Sequence, residues 1–270
     1  MSTPHNFKSK YGPWALVTGA ARGMGAEFAR QITAKGLNVV LVDILAEELS
    51  HVAEEVRKNS GVETKTIVTD LSTPGFIEMV RKQTDGLEIG LLVSNAAFGP
   101  VCLFIESKLE DKLKTVAVNI HAPLTLVHEF AGKMAARKRG GIILLSSASA
   151  LQGSSYVANY AATKAYNLIL AESLWGELRE HGVDVLGFMP GTTRTPGFLL
   201  SKPHTERTRL ITTMEAAPTV TEALAALGRR PSHIAGRRNR LTMFMSVKLM
   251  PRKTAIKLTG KTMRDLYETR

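Results

Sequence analysis

Six short apolar runs recur along the chain with helical stretches between them, and this alternation leaves few folds open. The runs are WALVTG around Ala15–Thr18, NVVLVD at Asn38–Asp43, a shorter one at Lys65–Val68, GLLVS at Gly90–Ser94, GIILLS at Gly141–Ser146 and VDVLGFM at Val183–Met189. They are rich in β-branched residues and do not alternate apolar with polar, as expected of strands covered on both faces. The segments between them read as helices over residues 24–35, 45–58, 74–83, 109–138 and 158–181. Gly36 and Gly61 fall where helix C-terminal caps are expected. Ser72-Thr73-Pro74 offers a cap with proline near the first helical turn. Pro123, inside the long fourth helix, is expected to kink or locally unwind it. Such alternation predicts an α/β fold with a doubly wound parallel sheet. With no internal repeat or linker, the 270 residues are expected to form a single domain over residues 1–238. A helical, basic C-terminal extension, 239–270, is expected to pack on it or beside it.

Charge is unevenly placed. Of 35 Lys and Arg and 24 Asp and Glu, residues 229–270 hold 12 and 2, a local balance of +10 that leaves the rest at +1. A neutral body argues against nucleic acid as a partner. A basic tail fits a solvated helix face, an anionic membrane surface or an acidic partner. No apolar run is long enough for a membrane-spanning helix. The single cysteine, Cys102, has no partner for an intrachain disulfide, and MSTPHNFKSKYGPW lacks an apolar signal core. A cytoplasmic protein, peripheral to a membrane at most, is the expectation.

The first strand runs into Thr18-Gly19-Ala20-Ala21-Arg22-Gly23-Met24-Gly25, which opens a helix. In this turn Gly19 allows a tight bend, Gly23 lets the backbone approach a pyrophosphate and Gly25 lets helix and strand pack closely. The helix start offers free N–H groups and a positive dipole end to phosphates. Asp43 closes the second strand, where a carboxylate can accept hydrogen bonds from both hydroxyls of an adenosine ribose and repel a 2′-phosphate. It would favour NAD; as a strand-end residue it would also serve as a helix cap. Arg22 argues for NADP, since a base in the phosphate turn can meet a 2′-phosphate.

Tyr160 and Lys164 stand at i and i+4 of one helix. A free tyrosine, with a pKa near 10, is a poor acid or base at neutral pH. A neighbouring ammonium favours the phenolate and can also bind a ribose, so the pair suits proton transfer at a carbonyl or alcohol oxygen. Ser147 lies 13 residues earlier, at the end of the fifth strand, and Asn119 lies near the break expected at Pro123.

Together these features resemble the short-chain dehydrogenase/reductase family. TGAARGMG matches its TGxxxGxG turn, including Ala21 and Met24; Asp70-Leu71 matches its adenine-contacting position; Ser94-Asn95-Ala96-Ala97 stands where the family reads NNAG. Asn119, Ser147, Tyr160 and Lys164 match its catalytic tetrad in order and spacing. Pro190-Gly191, with Thr193 and Thr195 following, matches the PGxxxT segment that holds the nicotinamide amide. The resemblance spans roughly residues 12–230; serine for the first Asn and alanine for the glycine of NNAG are its departures. It implies a Rossmann-like fold, an NAD(P)(H) cofactor, no metal, and reversible hydride transfer between nicotinamide and a carbonyl carbon. It implies Tyr160 as acid/base and Ser147 as holder of the substrate oxygen. Lys164 is implied as the group that lowers the tyrosine pKa and binds ribose. Asn119 is implied to link Lys164 to solvent through a helix distortion and a water. It also implies a homodimer or homotetramer, commonly through the fourth and fifth helices.

Residues 192–217 are expected to form a lid, with Phe198, Leu199, Leu200, Leu210, Ile211 and Met214 able to wall a bulky apolar substrate such as a steroid, acyl chain or aromatic ketone. Cys102 is expected beside the pocket; His121 and His128 read as surface or interface residues. Beyond HIAG, a last strand, residues 240–249 and 252–268 read as helices broken at Pro251. The reading is an NAD(H)-dependent oxidoreductase of secondary alcohols and ketones. The alternatives are an NADPH-dependent carbonyl or 3-ketoacyl reductase, and a non-catalytic cofactor-binding or membrane-surface protein.

Overall fold

A computed structural model describes residues 4–201, 203–205 and 212–267. Seven strands form one parallel sheet: β1 (Trp14–Thr18), β2 (Asn38–Asp43), β3 (Thr64–Val68), β4 (Ile89–Ser94), β5 (Gly140–Leu145), β6 (Val183–Met189) and the short β9 (Ser232–Ile234). Their order is β3-β2-β1-β4-β5-β6-β9. The chain builds outward from β1 in one direction, then returns to β4 and builds in the other. The reversal leaves a crevice at the carboxyl ends of β1 and β4, where such sheets bind ligands.

The apolar runs lack alternation because both faces are covered. Leu16, Val40, Leu92, Ile142 and Val185 pack into one core with Leu126, Phe130 and Ala171. Their strand neighbours Val17, Leu41, Val93, Ile143 and Leu186 point the other way, against Phe28, Ile32 and Leu224. The first face is covered by α4 (Phe76–Thr84), α6 (Ala122–Ala136) and α7 (Ala158–Leu178), the second by α2 (Gly23–Thr33), α3 (Ala46–Ser60) and α9 (Ala216–Ala226). Burying each such Val, Leu, Ile or Phe stabilises the fold by roughly 1.5–3 kcal/mol. An N-terminal helix, α1 (Pro4–Tyr11), was not legible in the sequence. It buries Phe7 and Tyr11 beneath the sheet, and the Tyr11 hydroxyl donates to Asp184 Oδ2 at 2.5 Å.

Several local expectations are refined. Gly61 caps α3 with φ +65°. The Ser72-Thr73-Pro74 cap does not form: α4 starts at Phe76, and Ser72 instead donates through its N–H and hydroxyl to Asp70 Oδ1. The long fourth helix divides into α5 (Leu109–Val116), a widened π-helical turn (Ala117–His121) and α6. Pro123 sits in the first turn of α6, so the distortion precedes it. Its missing N–H is the one that would bond the Asn119 carbonyl.

The 192–217 segment opens with β7 (Thr193–Arg194) and α8 (Pro196–Leu200), and it closes with β8 (Met214–Glu215), which pairs with β7. Leu210 and Ile211 lie outside the described residues. The tail forms α10 (Arg237–Phe244), a π-helical turn (Met245–Leu249) and α11 (Arg252–Tyr267). Gln152 anchors it by donating to Thr259 at 2.5 Å and accepting from Ser246 at 3.2 Å. No described helix is long and apolar enough to cross a membrane.

Candidate active site

Loops at the carboxyl ends of β1, β4, β5 and β6 meet over the crevice. In the first, Gly19 and Gly23 take φ of +66° and +59°, values that only glycine adopts without strain. A Cβ on Gly25 would lie 1.8 Å from the Gly19 carbonyl oxygen. Asn95, from the loop after β4, clamps this turn: its Nδ2 donates to the carbonyls of Thr18 at 2.9 Å and Gly19 at 3.1 Å. Thr18 Oγ1 accepts from the N–H groups of Asn95 and Ala96, both at 3.1 Å. Ala97 follows them in the same loop. The first N–H groups of α2, at Gly23, Met24 and Gly25, precede its hydrogen-bonded ladder and are free to bind an anion.

Asp43 stands at the rim of this turn. Its Oδ2 accepts from Ala21 N–H at 2.9 Å, and its Oδ1 accepts from Ile44 at 2.7 Å and Leu45 at 3.1 Å. Asp43 is not the cap of α3, which starts from Leu45 without a side-chain cap; its bonds brace the loop between β2 and α3 and hold the carboxylate beside the phosphate turn with lone pairs to spare. Asp70 follows β3, with Leu71 buried beside it. Burial raises the Asp70 carboxyl, but Ser72 and Lys114, whose Nζ is 3.4 Å away, more than offset this and leave it below its ordinary value. Thr195 accepts from Phe198 N–H to start α8 and packs against Gly23, bringing the segment after Pro190 and Gly191 onto the phosphate turn. Thr193, buried, donates to the Gly191 carbonyl at 3.1 Å. The glycine cradle, free helix N–H groups and rim carboxylate fit a dinucleotide.

On the other side of the crevice, α7 carries Tyr160 and Lys164 on one face. Ser147 stands beside Tyr160, near enough to lower its pKa, and its Oγ accepts from Ser149 Oγ at 3.0 Å. Neighbouring Ser146 is turned into the core, donating to the Lys164 carbonyl at 2.7 Å, so the serine that meets Tyr160 is Ser147. Lys164 is 2% exposed; its ammonium donates to the Leu145 carbonyl at 2.8 Å and stands 5.5 Å from the Tyr160 ring centre. Burial pushes the tyrosine up to about 12 while Ser147 pulls it the other way. Burial also drives Lys164 down to about 7. The ammonium was expected to lower the tyrosine pKa; in this arrangement burial raises it, and the opposing influence comes from Ser147 rather than Lys164.

Asn119, 1% exposed, lies in the π-helical turn. Its Oδ1 accepts from Phe98 N–H and its Nδ2 donates to the Phe98 carbonyl, both at 2.8 Å, and to Thr163 Oγ1 at 3.0 Å. The side chain thus ties the loop after β4 to α7 rather than reaching Lys164. The Asn119 carbonyl, freed by Pro123, accepts from Asn167 Nδ2 at 2.9 Å. Asn167 and Thr163 went unread in the sequence. Asn167 sits three residues beyond Lys164 and four beyond Thr163, on the same face of α7, and this run of polar residues at helical spacing was the available signal. Cys102 lines a pocket with Gly99, Phe104, Lys112 and Tyr160. Its N–H donates to the carbonyl of Tyr156, which is held at φ +66°.

Buried Lys164 makes stability depend on pH. Its pKa is 10.5 as a free side chain and about 7 here. Between those values the unfolded chain binds the proton and the folded chain does not, so stability rises with pH across that window and is lowest below it. The 10.5-to-7 shift corresponds to about 5 kcal/mol, and the bond to Leu145 returns about 1–3 of it. Lys164→Met should therefore melt a few degrees above the parent at pH 7, and thermal denaturation should show the gap closing toward pH 10. A variant less stable at pH 7 would contradict this.

Residues 13–203 match the sequence model of the short chain dehydrogenase family. The 7beta-hydroxysteroid dehydrogenase of Collinsella aerofaciens is 35% identical over 237 residues, covering 87% of this chain and 90% of that protein. A solved structure of a 7beta-hydroxysteroid dehydrogenase, studied for its stereoselectivity, superposes with a TM-score of 0.88 at 32% identity, covering 94% of this chain and 98% of the other. A short-chain dehydrogenase from Sphingobium yanoikuyae, solved in complex with NADPH, superposes with a TM-score of 0.75 at 26% identity, covering 83% and 87%. With the glycine turn, the Ser147–Tyr160 contact and the parallel sheet in place, the chain belongs to the short-chain dehydrogenase/reductase family, oxidoreductases acting on CH–OH groups.

Proposed function

We propose that the protein interconverts a bulky apolar secondary alcohol, of steroid type, and its ketone, with NAD(H) as cofactor. The observation that carries this reading is the Ser147–Tyr160–Lys164 group set at the end of β5, across the crevice from the glycine turn. A nicotinamide dinucleotide held by the Gly19–Gly25 turn and the start of α2 would supply the hydride chemistry. Ser147 holds the substrate oxygen, Tyr160 gives or takes its proton, and Lys164 steadies the tyrosine and binds ribose. Asn119 keeps the loop after β4 against α7. Gly99 and Phe104 line a pocket beside Tyr160, and α8, in the segment expected to act as a lid, presents the exposed Leu199 and Leu200; both suit an apolar ring system. The similarity to 7beta-hydroxysteroid dehydrogenases supports that substrate class. Incubation with NAD and a panel of hydroxysteroids, followed by NADH absorbance, tests it; turnover only of small polar alcohols would overturn the steroid reading.

Asp43 supports NAD over NADP. Asp43→Ala should move the ratio of NADH to NADPH affinity by about 10-fold or more toward NADPH, the effect of losing hydrogen bonds to a charged acceptor. Side-by-side fluorescence titrations measure it, and an unchanged ratio would reject the ribose role. Arg22 supports the second reading, an NADPH-dependent carbonyl or 3-ketoacyl reductase, because its guanidinium at the start of α2 has no ion-pair partner among the described residues. The exposed Leu109, Leu113, Leu124 and Ile169 of α5, α6 and α7 suit contact with a second copy in a homodimer or homotetramer.

A further inference from the structure

We infer that the outer side of the C-terminal helices is a docking surface for an anionic lipid bilayer. Leu241, Phe244, Met245 and Leu249 are 63%, 55%, 50% and 62% exposed. Their spacings of three, one and four residues place them on one side of the helical run. Four large apolar side chains so exposed on one short run form a patch that calls for a covering partner.

Cationic side chains frame the patch. Arg237 and Arg238 precede it, Lys248 lies within it, and Arg252 and Lys253 follow, all exposed and without an ion-pair partner among the described residues. No acidic residue occurs between Arg229 and Arg264. Arg240 differs: it turns inward to Glu222 at 2.9 Å and adds nothing to the outer face.

Apolar side chains ringed by unpaired cations match the headgroup boundary of an anionic bilayer, where the apolar face sinks in and the cations meet phosphate and carboxylate groups. Each cation near such a surface contributes about 1 kcal/mol. A second copy would set this face against an identical one, cation against cation, so charge complementarity favours the lipid. The surface is held as a unit with the site: Gln152, between Ser147 and Tyr160, bonds both Thr259 and Ser246, and Gly153 lies against Ile256. Docking therefore sets the loop between Ser147 and Tyr160 close to the lipid.

The test is co-sedimentation of the full chain with vesicles of phosphatidylcholine alone and with about 30% phosphatidylserine added. The parent should pellet with the anionic vesicles at least tenfold more than with the neutral ones, and molar salt should release it. Phe244→Ser/Leu249→Ser and Lys248→Glu/Arg252→Glu should each reduce that binding at least tenfold while keeping the parent melting temperature. Failure of the parent to prefer anionic vesicles, or binding that survives in both variants, would overturn the inference. So would a variant that changes only the oligomeric mass measured by light scattering, which would assign the patch to a second copy.

Discussion

Tyr160→Phe is expected to reduce turnover by about 10²–10⁴-fold in both directions while leaving the dissociation constant for NADH within a factor of two or so of the parent. The hydroxyl is the group near the end of β5 placed to exchange a proton with a substrate oxygen, and Ser147 stands beside it. Removing one oxygen leaves the ring, which packs beneath Gly99, so the fold and the dinucleotide cradle should persist. With its pKa pushed up to about 12, the phenol stays protonated through the neutral range. Ketone reduction should therefore show no loss from tyrosine ionisation there. Alcohol oxidation, which needs the phenolate, should rise with pH. Steady-state rates in each direction, with fluorescence titration of NADH, measure both halves. A variant that keeps parental turnover would remove Tyr160 from its assigned role.

How much of this was legible beforehand follows from what each feature depends on. Five of the six long strands were readable because burial on both faces leaves an apolar run such as NVVLVD; β3, TKTIV at the sheet edge with only Ile67 buried, showed as a shorter run. The glycine turn was readable because its backbone demands glycine at Gly19, Gly23 and Gly25. Helix α1 was not, since eight residues are too few to be stable alone; Phe7 and Tyr11 hold it only once the sheet supplies a floor. The break at Pro123 was foreseen but its form was not, because proline dictates which hydrogen bond is lost and not how the preceding turn relaxes. Asn167 illustrates the same limit: its partner is the carbonyl that Pro123 sets free 48 residues away. Tertiary context likewise decided the charges. Spacing put Lys164 beside Tyr160, but only the packed interior shows burial prevailing at both groups.

Gly25→Ala is expected to abolish measurable dinucleotide binding and to lower stability by about 1–3 kcal/mol or more, the usual cost of forcing a methyl into a packed site. The new carbon would stand 1.8 Å from the Gly19 carbonyl oxygen, 2.6 Å from its carbon and 2.7 Å from Asn95 Nδ2. Two of those three atoms are backbone, so no side-chain rotation relieves the clash. Either α2 must withdraw from β1, or the turn must open and break the Asn95 bonds to Thr18 and Gly19. Both movements carry the free N–H groups of Gly23 and Met24 away from the site a pyrophosphate would occupy. Thermal denaturation with and without saturating NADH separates the two consequences. The parent should gain stability from the cofactor by mass action, whereas the variant should melt lower and gain none. Gly61→Ala is the control: a Cβ there meets nothing within 4 Å, and its φ of +65° costs only local strain. It should lose some stability yet retain the full NADH-dependent gain. If Gly25→Ala also retained it, the turn after β1 would not be where the pyrophosphate binds.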